Sequence, residues 1–346
     1  MTDVSVGVLL SLAAGMVNGS FAAPTKYATR WKWENIWAVW AVVALFFSPW
    51  ALAFATVPNL LAFYRQTNSG LLVLLVGFGL GVGLAQVFFG LALAAVGLSI
   101  GFAVTIGLST AVGSLVPLVL LGSRVVLAPK GLVIIAGVAL VLAGTALCGL
   151  ASNRKEREHL SSRASKQEPE ATPPKNFRAG LLLCLLAGVL SPLTNLALAF
   201  GSPLLRRAAQ AGVSPPNLAN VIWPPLLTAT LIPYLSYCVH LWRRNKSWSL
   251  FTLAGTGVYW VFGALMGLLW TGSLAVYGTA ATRLAAMGPI LGWPLFMSVI
   301  IITSNVWGFA TGEWKGAGGA AVTRMLGGIL FLILGFCTVA LGSRLA

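Results

Sequence analysis

Charge is scarce in this chain: Asp, Glu, Lys and Arg make up only 8% of 346 residues, and just seven of them are acids. A soluble domain carries roughly a quarter charged residues. Here 58% of the residues are hydrophobic and the mean hydropathy is +0.89, which excludes a water-soluble globule and indicates a membrane protein. Histidines number two and cysteines four; Cys148, Cys184, Cys238 and Cys337 lie singly inside apolar runs, without the close spacing of a zinc or redox site. No metal and no cofactor is therefore expected. Paired carboxylates and a Ser/His/Asp set are missing from the apolar segments as well, which argues against an enzyme. The net charge of +15 sits almost wholly in polar breaks, so its natural partner is the anionic lipid headgroup and not nucleic acid.

Long apolar runs are what the chain has in abundance. Because a hydrocarbon core of roughly 30 Å takes about 20 residues of helix, ten spans are expected, near residues 4–24, 36–57, 70–95, 98–122, 131–150, 178–200, 217–241, 250–277, 284–309 and 322–343. The runs are continuous and not alternating, which selects helices over a barrel. The first run has Asp3 and no Lys or Arg ahead of it, so it reads as a retained helix and not as a signal peptide. The fold class is all-α polytopic.

One long polar interval, 152–177, is rich in Ser, Pro and mixed charge and reads as a flexible linker between two five-helix blocks, 1–151 and 178–346. The blocks resemble each other weakly: "LAAGMVNGS" can be laid on "LLAGVLSPL", and each block ends in a Gly-rich run. Since five is odd, two such blocks in series insert with opposite orientation, the inverted repeat common among secondary transporters, whose substrate site lies at the midplane. Fifteen of the 22 Lys and Arg fall on the odd-numbered loops, which places those loops in the cytoplasm and both termini outside.

Polar residues within the runs are the candidates for a site. Asn18 in the first helix and Asn195 in the sixth occupy comparable depths in the proposed repeats. In the third helix Gly79, Gly83, Gln86 and Gly90 form one stripe of small residues with a single amide, which must face protein or a watery cavity. Thr105 belongs to a second stripe with Gly101, Ser109 and Gly113, where bonding to its own helix is the simpler explanation. Trp260, Trp270 and Trp293 lie inside the eighth and ninth helices; converging amides and flat aromatic surfaces suit a neutral polyol, while core packing serves each Trp equally well. No carboxylate falls in the middle of a run, so the titrating groups open to proton coupling or gating are Glu34, Glu313 and His240, all near helix ends. Glu34 lies in "TKYATRWKWENIW", whose basic residues and tryptophans suit the membrane interface and whose acid also complements the dipole of the second helix.

The segments "FAAPTKYATRWKWENIWAVWAVVALFFSPWALA", "FFGLALAAVGLSIGFAVTIGLSTAVGSLVPL" and "GEWKGA" resemble, in order and spacing, the L-rhamnose–proton symporter family within the drug/metabolite transporter superfamily. That resemblance implies ten helices in a five-plus-five inverted topology with a central site, and marks Trp31, Trp33, Glu34, Glu313 and Trp314 as signature positions. "RLAAMGPILGW" departs from it in carrying no acid where the ninth helix begins, which bears on coupling. The expected function is proton-coupled import of L-rhamnose or a similar deoxy sugar across the bacterial inner membrane by alternating access, with a neutral sugar and protons as partners. Export or facilitated passage of another small metabolite is the alternative.

Overall fold

A computed structural model describes residues 3–121, 126–164 and 177–342. Among the described residues there are ten helical spans long and apolar enough to cross a membrane: α1 (Asp3–Tyr27), α2 (Trp33–Thr56), α3 (Ser69–Val96), α4 (Ile100–Leu120), α5 (Pro129–Glu158), α6 (Phe177–Phe200), α7 (Pro215–Asn245), α8 (Gly257–Arg283), α9 (Gly288–Ala310) and α10 (Gly319–Gly342). Large apolar side chains such as Leu9, Phe54, Val73, Leu182, Ile232 and Leu330 point outward, as a lipid solvent permits. Spans alternate in direction. One end of the bundle, here the terminal face, holds the start of α1 and the end of α10; the other, here the linker face, holds the end of α5 and the start of α6.

Proline shapes the spans locally. In α2 and α9 a wide turn, Val43–Phe47 and Gly288–Gly292, stands just ahead of Pro49 and Pro294. A proline offers no N–H and its ring crowds the carbonyl one turn earlier, so the preceding turn widens. Helix α6 breaks at Ser191–Pro192 and resumes as Leu193–Phe200. Beyond the membrane, α5 continues as helix to Ala164. Residues 152–164 of the interval expected to be a flexible linker are thus helical, carried past the expected end of the span by good helix formers and an Arg154–Glu158 pair one turn apart; residues 165–176 lie outside the described residues.

Small residues set the packing. Where α5 crosses α10, a Cβ on Gly144 would sit 2.8 Å from the Gly328 carbonyl, and one on Gly335 2.8 Å from the Val141 amide nitrogen, so the two backbones touch. Helix α3 approaches α7 through Gly79 and Gly83, and α8 approaches α2 through Gly263 and Gly267. Helix α1 lies against α8 and α9, and α6 against α3 and α4.

Candidate functional site

The terminal face is sealed by one polar hub. Asn195, fully buried in the second segment of α6, donates from Nδ2 to the Gly113 carbonyl of α4 at 2.8 Å and to the Pro289 carbonyl of α9 at 2.9 Å, while Tyr277 of α8 donates to its Oδ1 at 2.6 Å. Four helices meet at this amide, and the break at Pro192 is what turns it inward. Trp293 completes the seal: its Nε1 donates to the Ser109 carbonyl at 3.0 Å, its ring occupies the space beside Gly113, and Tyr277 and Phe296 pack on it. Nearer the surface Arg283 pairs with Asp3 at 2.6 Å.

Toward the linker face α4, α5, α9 and the α9–α10 loop surround a cavity of 660 Å³. Its lining mixes apolar side chains, among them Phe102, Ile106, Ile300 and Ile301, with the polar Ser152, Ser304, Asn305 and Glu313, and Lys155, Glu156 and Lys315 border it too. Lys26, at the end of α1, forms an ion pair with Glu313 and donates to Thr311, tying the first span to the α9–α10 loop. Glu158 of the α5 extension accepts from the Gly318 amide at 2.8 Å, and Lys155 lies 4.6 Å over the Trp314 ring, so the same loop is also held by α5.

A ladder of rings descends from the linker face beside this region. Trp33 stacks on Trp37, Trp37 meets Trp40 edge-on, and Trp40 meets Trp270 at 5.4 Å, with Phe21 and Tyr234 against them. Trp270 is half-buried at the bottom of the ladder. Gln86 is half-buried in α3, and no hydrogen bond to its amide occurs among the described residues.

Glu34 is buried at the start of α2 and accepts from Ser247 Oγ at 2.6 Å and Asn245 Nδ2 at 2.9 Å, while Asn35 donates to the Ser247 carbonyl. It fastens α2 to the end of α7 and lies away from the cavity. Glu34→Ala strands two donors, so we expect a loss of about 1–3 kcal/mol, read as earlier aggregation on heating in detergent; Glu34→Gln, which keeps an acceptor, loses less and leaves uptake intact.

The structure therefore divides the sequence candidates. Asn195 and Trp293 come together in the seal. Asn18 is buried and spent on Ser273 Oγ at 2.7 Å, and Thr105 donates to the Cys184 carbonyl at 3.3 Å. Trp260 is half-exposed near the linker-face end of α8, packed on Trp31 and Phe251, so it belongs to an interfacial cluster and not to the interior expected of it. His240 is exposed and stacks on Tyr237. Glu313 alone of the ten borders the cavity. Sequence reasoning missed Tyr277, Phe102 and the Ser304–Asn305 pair; the last was visible as two adjacent polar residues within an apolar run.

A model of the L-rhamnose-proton symport protein family matches residues 1–344. The chain belongs to that family. Two relatives named L-rhamnose-proton symporter, from Escherichia coli and Cronobacter sakazakii, are 27% and 28% identical to it, each over 98% of both chains. A solved crystal structure covers 95% of this chain and 97% of its own with a TM-score of 0.57 at 15% identity, which shows a shared fold. As a member of a symport family this chain is a transporter and not an enzyme, a multi-pass protein of the bacterial inner membrane.

Proposed function

We propose that this protein carries L-rhamnose, or a closely similar deoxy sugar, into the cell together with protons. The observation that carries the reading is the family match over residues 1–344. A cavity of 660 Å³ lies within the roughly 300–1,000 Å³ of small-molecule sites. Its lining, part apolar and part hydroxyl and amide, suits a deoxy sugar, which carries a methyl group and C–H surface as well as hydroxyls. Gln86, with its free amide, and Trp270, with its ring, are the candidates left for a central site once the cavity opens further.

The mechanism is alternating access between two inverted five-helix repeats, residues 1–151 and 178–346. Support comes from the packing. Exchanging α1–α5 for α6–α10 turns α1 on α8 and α9 into α6 on α3 and α4, and α3 on α7 into α8 on α2. Glycines follow: Gly7 and Gly15 meet α8 and α9 as Gly180 and Gly188 meet α3 and α4, and Gly79 and Gly83 correspond to Gly263 and Gly267. On α5 and α10, Gly137 and Gly144 exchange with Gly328 and Gly335. By the same exchange Gln86 corresponds to Trp270. The linker face is cytoplasmic on the distribution of Lys and Arg, and its basic residues meet anionic headgroups.

Glu313 is the coupling group best placed for this cycle. It borders the cavity and its ion pair with Lys26 joins the two repeats, so protonation releases a tie between them; Lys155, Glu156 and Lys315 share its surroundings. Among the described residues every carboxylate lies near a span end or in a loop, an observation that also favours a facilitator as a second reading. Uptake of labelled L-rhamnose into proteoliposomes with and without an inward proton gradient decides between them. Gradient-driven accumulation that Glu313→Gln abolishes, with exchange preserved, is the expected result; equilibration without accumulation gives the facilitator, and no uptake removes the sugar assignment.

A further inference from the structure

The two faces differ in a way that the repeat makes informative. In the sealed half, Trp293 of α9 lies against Ser109 and Gly113 of α4. The contacts of Gly15 with Val299 and of Gly188 with Leu108 fix the register of the exchange between α4 and α9. In that register Trp293 corresponds to Phe102, Ser109 to Ile300 and Gly113 to Ser304. Independent contacts agree: Gly113 abuts Pro192 of α6, and Ser304 donates to the Gly19 carbonyl of α1 at 3.3 Å, with Pro192 and Gly19 themselves a corresponding pair.

Phe102, Ile300 and Ser304 all line the cavity. The contact that seals the terminal face therefore has a counterpart on the linker face made of the right residues but standing open. Exposure tells the same story: Phe102 is 43% exposed and Trp293 3%. At the start of α2, Trp33 is 43% exposed, whereas its counterpart Trp223 on α7 is completely buried.

We propose that Phe102 is the linker-face gate of the transport path. In the state that opens the terminal face, its ring closes on Ile300 and Ser304 as Trp293 now closes on Ser109 and Gly113, and the Asn195–Tyr277 hub comes apart. The pairing is selective, because Phe102 brings a ring without a hydrogen-bond donor where Trp293 has one. The terminal-face gate adds the Trp293 hydrogen bond and the Asn195 amide to its apolar contact, while Phe102 brings no hydrogen bond to the linker-face gate, so the resting protein stands open to the linker face. The proposal rests on the alternating-access reading above and adds the residue that closes its second end.

The test is Phe102→Cys with Ser304→Cys in a Cys148→Ala background, reconstituted as the full chain in proteoliposomes. Oxidation links the two thiols when the linker face closes, which is read as the loss of both free thiols by mass spectrometry and is reversed by dithiothreitol. Two thiols that stay free under the oxidant, while each single-cysteine variant is labelled by a small maleimide, overturn the gate. A second measurement needs no transport: Ser304→Cys alone is labelled from the linker face by a membrane-impermeant maleimide, and adding Tyr277→Phe, which weakens the opposite seal, slows that labelling several-fold. Unchanged labelling overturns the proposal. Wild-type protein that moves no L-rhamnose while Ser304→Cys labelling still responds to Tyr277→Phe would sink the substrate assignment and leave the gate standing.

Discussion

Gly328→Leu is expected to abolish the folded protein, whereas Gly327→Leu, one residue earlier, leaves it as it is. A Cβ on Gly328 would sit 2.6 Å from Cys148 Sγ, 2.9 Å from the Cys148 backbone nitrogen and 2.9 Å from the Gly144 carbonyl oxygen. Two of those three atoms are backbone, so no rotamer change makes room. The reciprocal contact of Gly335 with Val141 and Gly137 lies two turns along the same seam, and parting the helices at one point opens both. Overpacking costs about 1–3 kcal/mol where side chains can give way, and more where backbones must separate. In the membrane this loss is not recovered elsewhere, because lipid tails are as apolar as leucine and close packing is itself the driving force. Gly327 meets nothing within 4 Å, so a side chain there extends into open space. Size-exclusion chromatography of detergent extracts tests the pair: no monodisperse peak for Gly328→Leu, a normal peak for Gly327→Leu, and an intermediate melting temperature for Gly328→Ala.

That contrast between neighbouring glycines marks how far the sequence can be read. Apolar run length alone fixes ten spans, because the bilayer imposes both their length and their helicity. The stripe of Gly79, Gly83, Gln86 and Gly90 was legible as a close-approach surface, yet its partner was not; only the fold reveals that Gly79 and Gly83 receive α7 while Gly90 meets nothing. Asn195 stood out because an amide cannot satisfy itself on its own helix, but the sequence gives no means of telling an amide that binds substrate from one that binds three other helices. Phe102 was invisible for a different reason. A phenylalanine in an apolar run looks the same whether it faces lipid, core or cavity, and which it faces changes as the two halves move. The α5 extension to Ala164 has the polar composition of a linker, yet a charged helix outside the membrane needs no apolar stripe once i,i+4 pairs and contacts such as Glu158 with Gly318 hold it.

Asn195→Ala is expected to unseal the terminal face, with a larger effect on coupling than on folding. The substitution leaves the Tyr277 hydroxyl, fully buried, without its acceptor and takes the side-chain donor from the Gly113 and Pro289 carbonyls. An unsatisfied buried group costs about 1–3 kcal/mol, but much of that penalty falls on the sealed state alone, since water reaches the hub once that face opens. The equilibrium therefore shifts toward the open terminal face, and a shift of about 1.4 kcal/mol changes the ratio of states tenfold. Tyr277→Phe removes the donor and strands Asn195 Oδ1, so its effect has the same sign and is smaller because the two carbonyl contacts survive. The double variant is expected to be less than additive, with a coupling of about 1–2 kcal/mol, in the upper range for interhelical hydrogen bonds in membranes. Thr105→Val is the comparison, removing one long 3.3 Å bond to Cys184 from a neighbouring turn of α4, and it should leave transport near normal. The measurement is the steady-state accumulation ratio of L-rhamnose under an imposed proton gradient beside the rate of counterflow. Asn195→Ala should lower accumulation while counterflow persists; equal loss of both would make the hub a folding element and not a seal.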